Sequence, residues 1–293
     1  MQIATELRRG NDERAMIEES TLLTGERRPL VHLDPDHPGF RDPDYRLRRN
    51  AIARIALDYE AGTPIPDAPY SAEEHHLWQF IRAALAPQHQ AHACAEYLAC
   101  VERLGLSTDR IPQLSEVSAK VEAISGFRLE PVAGLVEPRA FLESLSDGVF
   151  LSTQYIRHHS APLYTPEPDV VHELIGHAVL LADERIAELN RLVGGAVKCA
   201  RSSEDLDRLA RLYWFTIEFG VVHEGCEIKA YGTGLVSSAG ELAAMRDAEL
   251  RPFDLEAASR QEFDPTTYQP LLFCADSFAT MYETLREHLI NWQ

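Results

Sequence analysis

His172, Glu173 and His177 lie in the stretch "EPDVVHELIGHAVLLAD", Glu167 to Asp183, and have the types and spacing of reactive residues. They begin like the H-E-x-x-H helix of zinc proteases, where two histidines four apart hold the ion and the glutamate acts as base. Here the second histidine comes five residues on. On a regular α-helix, positions i and i+4 differ by ~40° around the axis, whereas i and i+5 differ by ~140°. A regular helix would therefore aim the two imidazoles apart. A π-type widening or a frayed turn at Gly176 would bring them together, and such irregularities concentrate at functional sites.

A metal held by two histidines needs a third ligand. Glu173 is next to His172 and on a helix points elsewhere. Glu218 is the better choice, because it lies within "YWFTIEFG", an almost unbroken aromatic and aliphatic run. A carboxylate there is expected to be buried, which is costly unless it is paired or bound to a cation. Two imidazoles and one carboxylate, with coordination positions left open, form the facial triad of non-haem Fe(II) oxygenases. Two alternatives stand beside this reading: a zinc hydrolase built on "HELIGH", and ordinary packed residues with no metal. His75, His76, His158, His159 and His223 read as solvated or hydrogen-bonded side chains.

The elements that must position these residues are mostly helical. Ser71 and Glu74 form a capping box ahead of "HHLWQFIRAAL", expected to end before Pro87. "HQAHACAEYLACVERLGL" should stop at Gly105, and "PQLSEVSAKVEAISG" at Gly126. Pro138 suits the first turn of "PRAFLESLSDG". "ERIAELNRLVGG" should stop at Gly194 and Gly195, and residues 202–220 read as one long regular helix ending at Gly220. The tail, "SFATMYETLREHLINWQ", is a final amphipathic helix. Strand signals are short: "GFRLEPVAG", "GVFLSTQYI" and "CEIKAYGTG". The expectation is a mainly α fold with minor β, with residues 1–30 a loose extension and 31–293 a single catalytic domain.

A formal net charge of −18 over 293 residues argues against a nucleic-acid partner. Five scattered cysteines read as reduced thiols rather than a disulfide frame. With no secretory h-region and no long apolar run, the reading is a cytoplasmic protein with no membrane association.

Several ordered motifs carry a resemblance. "TQYIRH", "YTPEPDVVHELIGH", "YWFTIEFG" and "KAYGTGLVSSAGEL", preceded by "LDPDHPGFRDPDYRLRR", "HACAEY", "IPQLSEVS" and "GFRLEPVAGL", resemble the catalytic domain of the pterin-dependent aromatic amino acid hydroxylases, phenylalanine hydroxylase above all. The likeness runs from about Val31 to the last helix. It implies that fold, with Fe(II) on His172, His177 and Glu218. A tetrahydropterin and O2 would hydroxylate the ring of a free aromatic amino acid, phenylalanine to tyrosine.

By the same likeness Arg157 pairs with the substrate carboxylate, for which a guanidinium fork is suited. Thr165 and Ser237 orient the amino acid backbone, and Trp214 walls its ring, favouring Phe or Tyr over Trp. The pterin falls on Gly134, Leu135, Val136 and Phe141, with Ala210 and Tyr213 completing its wall and Glu173 nearby. Three residues depart from the family pattern: Leu151 stands for His or Gln, Pro138 for Ser, and Pro265 for a small aliphatic residue. Leu151 and Pro265 raise meta-tyrosine as an alternative product. The short N-terminal stretch and the lack of a C-terminal heptad helix lead to the expectation of a monomer or weak dimer.

Overall fold

The computed structural model describes residues 30–165 and 167–292. The expected extension over 1–30 therefore lies, apart from Leu30, outside the described residues. Helices dominate and strands are short, as the mainly α reading requires.

The first helices follow their local signals. Helix α1 (Pro43–Asp58) is capped by Asp42, and α2 (Ala72–His92) by the Ser71–Glu74 box, with Ser71 N to Glu74 Oε2 at 2.7 Å. However, α2 runs through Pro87 instead of ending before it. Its buried face of Trp78, Ile81, Leu85 and His89 holds the turn that loses an amide hydrogen bond. The next stretch divides at Ala93, because Cys94 N donates to Ala230 O at 2.8 Å and Cys94 caps α3 (Ala95–Leu104). Gly105 and Gly126 end α3 and α4 (Leu114–Ser125) in the left-handed region, as expected.

Strand β1 (Arg128–Pro131) pairs in parallel with β2 (Val149–Ser152) around α5 (Pro138–Ser146), which starts at Pro138. Helix α6 (Glu184–Cys199) does not stop at Gly194. A Cβ there would lie 2.3 Å from Ser146 N and 2.8 Å from Leu142 O. The glycine marks where the backbones of α5 and α6 touch, not a helix end.

Beyond α7 (Ser203–Tyr213) lie β3 (Val221–Glu224), β4 (Glu227–Ala230), α8 (Thr233–Val236), α9 (Ala239–Ala244), β5 (Glu249–Pro252), α10 (Leu255–Arg260), β6 (Leu271–Ala275) and α11 (Phe278–Trp292). The second sheet has the order β4-β3-β6-β5, with only β3–β4 antiparallel. Of its strands, only β4 carried a sequence signal. The others span four or five residues, and β6 is buried on both faces, which removes any alternation.

Two segments depart from regular α geometry. His172–Ala178 is a π-helix, and so is Trp214–Glu218, where Phe219 N donates to Trp214 O at 2.8 Å. The regular helix expected over 202–220 is thus α only to Tyr213. Both π segments are packed in the core, among Val171, Leu174, Ile175, Phe215 and Ile217.

Candidate metal centre and substrate cavity

The wider π turn solves the spacing problem of "HELIGH". With hydrogen bonds reaching five residues, His172 and His177 come onto one face. Their Nε2 atoms are 3.0 Å apart. Gly176 sits where a Cβ would press within 3.0 Å of Thr233 O, so its small size lets this segment pack on α8. The second π segment turns Glu218 inward. Its Oε1 lies 2.9 Å from His177 Nε2, and its Oε2 lies 3.7 Å from His172 Nε2.

The donor set fits a divalent metal. Two ligands at right angles on bonds of ~2.1 Å stand about 3.0 Å apart, which matches the two histidine nitrogens. Supporting contacts orient each candidate ligand. Ser237 Oγ lies 3.0 Å from His172 Nδ1, which leaves Nε2 facing the cluster. Thr233 Oγ1 donates to Glu218 Oε2 at 2.6 Å, and the Phe150 ring packs 4.5 Å from His177.

The protonation states agree with this role. Burial pushes His172 down to about 4 against the pull of Glu218, so the imidazole is neutral. Burial would raise Glu218, but His177, His172 and Thr233 hold it down at about 2. Burial also opposes charge on His177, and Glu218 overrides it, so His177 is shifted up. The proton shared by His177 and Glu218 is the one a cation would displace.

Glu173 competes as a ligand on distance alone, since one of its oxygens lies within 4.8 Å of a nitrogen on each histidine. Its Oε1, however, accepts from Thr153 N at 3.2 Å and Thr153 Oγ1 at 3.1 Å, and burial raises it to about 7. A carboxyl that resists ionisation is a weaker cation ligand than Glu218. It does not point away from the site, as helical geometry had suggested; it is buried beside the histidines.

A cavity of about 210 Å³ opens beside the cluster. Arg157, Thr165, His172, Trp214, Glu218, Ser237 and Pro265 all line it. Arg157 is buried, not a surface group. Asp169 takes its Nε at 2.9 Å and its Nη2 at 2.7 Å. One edge of the guanidinium fork is therefore committed, while Nη1 makes a long contact, 3.5 Å, to Pro162 O. Thr165 Oγ1 bonds Glu167 O at 2.8 Å. Trp214 stacks on Phe263 with ring centres 4.1 Å apart.

The residues expected to meet a pterin lie apart from this cavity. Phe141 and Tyr213 meet edge to face at 6.1 Å, and Tyr213 stacks on His177 at 6.5 Å. Gly134, Leu135 and Val136 form the loop between β1 and α5, with Leu135 exposed. A Cβ on Gly134 would meet nothing within 4 Å, and the Phe141 ring is only half-buried, so a flat heterocycle has room there. Ala210 is half-buried on α7, while Leu151 on β2 is not part of the substrate cavity.

Asp169, Thr233, Thr153 and Glu241 carry parts of the site that no sequence signal had singled out. Asp169 alone was accessible to such reasoning: three residues before His172, its Oδ1 accepts His172 N at 3.2 Å as a helix cap does. Of the other histidines, His158 is hydrogen-bonded as expected, to Asp42 at 3.1 Å and Ser160 at 2.7 Å. Cys94, Cys100 and Cys274 are buried thiols, while Cys199 and Cys226 are exposed.

Two histidines and a glutamate converging in a helical shell, open to one cavity, have the form of a mononuclear facial-triad metal site. The signature of the biopterin-dependent aromatic amino acid hydroxylases matches residues 28–293, and the chain belongs to that family. It is 45% identical over 262 residues to bovine (Bos taurus) tyrosine 3-monooxygenase, covering 87% of this chain and 53% of the relative. It is equally similar, 45% over 262 residues, to rat (Rattus norvegicus) phenylalanine-4-hydroxylase, covering 87% and 58%. The chain thus spans a little over half the length of these relatives.

Among solved structures, phenylalanine hydroxylase from Chromobacterium violaceum with bound iron(III) and 7,8-dihydrobiopterin superposes with a TM-score of 0.73 at 30% identity. That match covers 81% of this chain and 90% of the other. The Legionella pneumophila phenylalanine hydroxylase gives 0.70 at 32%, covering 75% and 91%. Family membership speaks against the zinc hydrolase reading. Among the described residues, no helix is long and apolar enough to cross a membrane.

Proposed function

We propose that this chain hydroxylates the ring of a free aromatic amino acid, with L-phenylalanine as substrate and tyrosine as product. The cofactors are Fe(II), held by His172, His177 and Glu218, and a tetrahydropterin, with O2 as co-substrate. The observation that carries the proposal is the meeting of the two Nε2 atoms and the Glu218 carboxylate at one wall of the cavity that Arg157 lines. Iron and pterin together supply the activation of O2 and the electrons that ring oxidation needs, chemistry no side chain provides.

The chain's own residues supply placement. Arg157, braced by Asp169, presents its Nη1/Nη2 edge to the substrate carboxylate, in place of the long contact of Nη1 to Pro162 O. Ser237 orients His172 and keeps its hydroxyl proton available to the same carboxylate, and Thr165 stands on the same wall. Trp214, held by Phe263, by Phe219 and by Gln269 Oε1 at 3.0 Å, stands in the cavity wall as the aromatic partner for the ring. Glu173, Phe141, Ala210 and Tyr213, with the loop at Gly134, Leu135 and Val136, form the pterin side.

Pro265 in the cavity wall supports a shifted ring and a meta product as a second reading. Leu151, outside the wall, lends it no support. Supplying Phe, Tyr and Trp with Fe(II), a tetrahydropterin and O2 and identifying the products tests all of this. Tyrosine from phenylalanine is expected. Dihydroxyphenylalanine from tyrosine alone would transfer the substrate assignment, and activity with zinc but no pterin would overturn the proposal.

A further inference from the structure

Among the described residues the cavity has three carboxylates in its wall, and two are accounted for. Glu218 belongs to the histidine cluster. Glu167 accepts from Arg49 Nη2 at 2.9 Å and Tyr155 Oη at 3.0 Å. Glu241, on α9, is also buried, yet among the described residues no lysine, arginine or histidine is within ion-pairing distance of it. The hydrogen bond its carboxylate makes is a long one, 3.4 Å from Gln269 N. Burial accordingly raises it to about 7. A buried carboxylate without a cation is costly, and proteins keep such groups where a ligand completes them.

A free amino acid brings two charges. Arg157 matches the negative one. The positive one needs an acceptor, and apart from Glu218, Glu167 and Glu241 the wall carries no anionic side chain among the described residues. Gln269 ties this corner to the ring wall: its amide N–H reaches Glu241 while its Oε1 accepts from Trp214 Nε1 at 3.0 Å. Its Nε2 is anchored on Asp264 O at 2.9 Å and Thr267 O at 3.0 Å. One residue therefore sets the positions of both the carboxylate and the aromatic face.

We propose that Glu241 receives the α-ammonium of the bound amino acid, so that the cavity selects free zwitterions over aryl acids that lack the amine. This rests on the function proposed above and adds a specificity-determining residue to it. Gln269 is a positioning residue for that contact.

The test is equilibrium binding to the iron-loaded full chain, by calorimetry, of L-phenylalanine and of 3-phenylpropanoate, which differs only by the missing amine. The wild type should prefer phenylalanine by roughly tenfold or more, and Glu241→Gln should bring the ratio to within about threefold while leaving 3-phenylpropanoate binding in place. Equal binding of the two ligands by the wild type overturns the assignment without any variant, and so does an unchanged ratio in Glu241→Gln. If the wild type forms hydroxylated product from phenylalanine yet shows no preference, only Glu241 is displaced. If it binds neither ligand and forms no product, the proposed function falls as well.

Discussion

The Arg157–Asp169 pair permits a stability prediction worked from its geometry. Asp169 is fully buried and Arg157 nearly so. The carboxylate accepts four hydrogen bonds. Arg157 N and Nε reach Oδ2 at 2.7 and 2.9 Å, while Arg157 Nη2 and His172 N reach Oδ1 at 2.7 and 3.2 Å. In Asp169→Asn, either orientation of the amide turns its NH2 toward two donors. The guanidinium also loses its counter-charge in a buried place. Breaking such a pair costs about 3–5 kcal/mol. At about 2 °C per kcal/mol for a chain of this size, the melting temperature should fall by about 6–10 °C.

Thermal unfolding of the iron-loaded protein measures this, alongside the KM for phenylalanine, which should rise because Arg157 is no longer braced. Adding Arg157→Met should recover part of the lost stability but none of the substrate affinity, since the uncompensated charge disappears together with the group proposed to bind the substrate carboxylate. A melting temperature within about 2 °C of wild type for Asp169→Asn would refute the reasoning.

Three further outcomes are expected. His172→Ala or Glu218→Ala should abolish stoichiometric iron binding and turnover together; near wild-type metal content in either variant would remove that residue from the ligand set. Gly194→Ala should lower stability by about 1–3 kcal/mol in denaturant titration, because the new methyl meets the backbone of Ser146 and Leu142; an unchanged midpoint would count against that contact. Glu241, raised from its ordinary 4.5 to about 7, is protonated in both folded and unfolded chains below pH 4.5. Between there and about 7 only the unfolded chain ionises it, so its contribution to stability falls as pH rises. Glu241→Gln should therefore gain stability relative to wild type between pH 5 and 7.5 in the ligand-free state, as read from paired melting curves. An identical difference at both pH values would contradict the burial argument.

Where helix ends were legible, the signals were local. Ser71 with Glu74, Gly105, Gly126 and Pro138 act through backbone groups within a turn of themselves, and each does in the fold what its chemistry requires. Pro87 and Gly194 misled for the opposite reason. Packing of α2 carries the helix past the proline, and Gly194 is small because another backbone lies against it, not because a helix ends there. Strands β3, β5 and β6 were too short or too buried to show a period.

The sequence by itself determined which side chains are candidate ligands, the five-residue spacing that rules out a regular chelating helix, and the apolar surroundings that mark Glu218 as a buried charge. Ordered motifs pointed to the family. Only the tertiary structure decided that both segments carrying the candidate ligands are π-helical, because that widening is held by packing from residues far away in the chain, such as Thr233 against Gly176. It also decided that one edge of Arg157 is already taken by Asp169, that Glu173 lies inside the cluster, and that Glu241 faces the cavity with no cationic side chain beside it among the described residues. Each of these is a matter of which side chains share a buried space, and that depends on how separate segments meet.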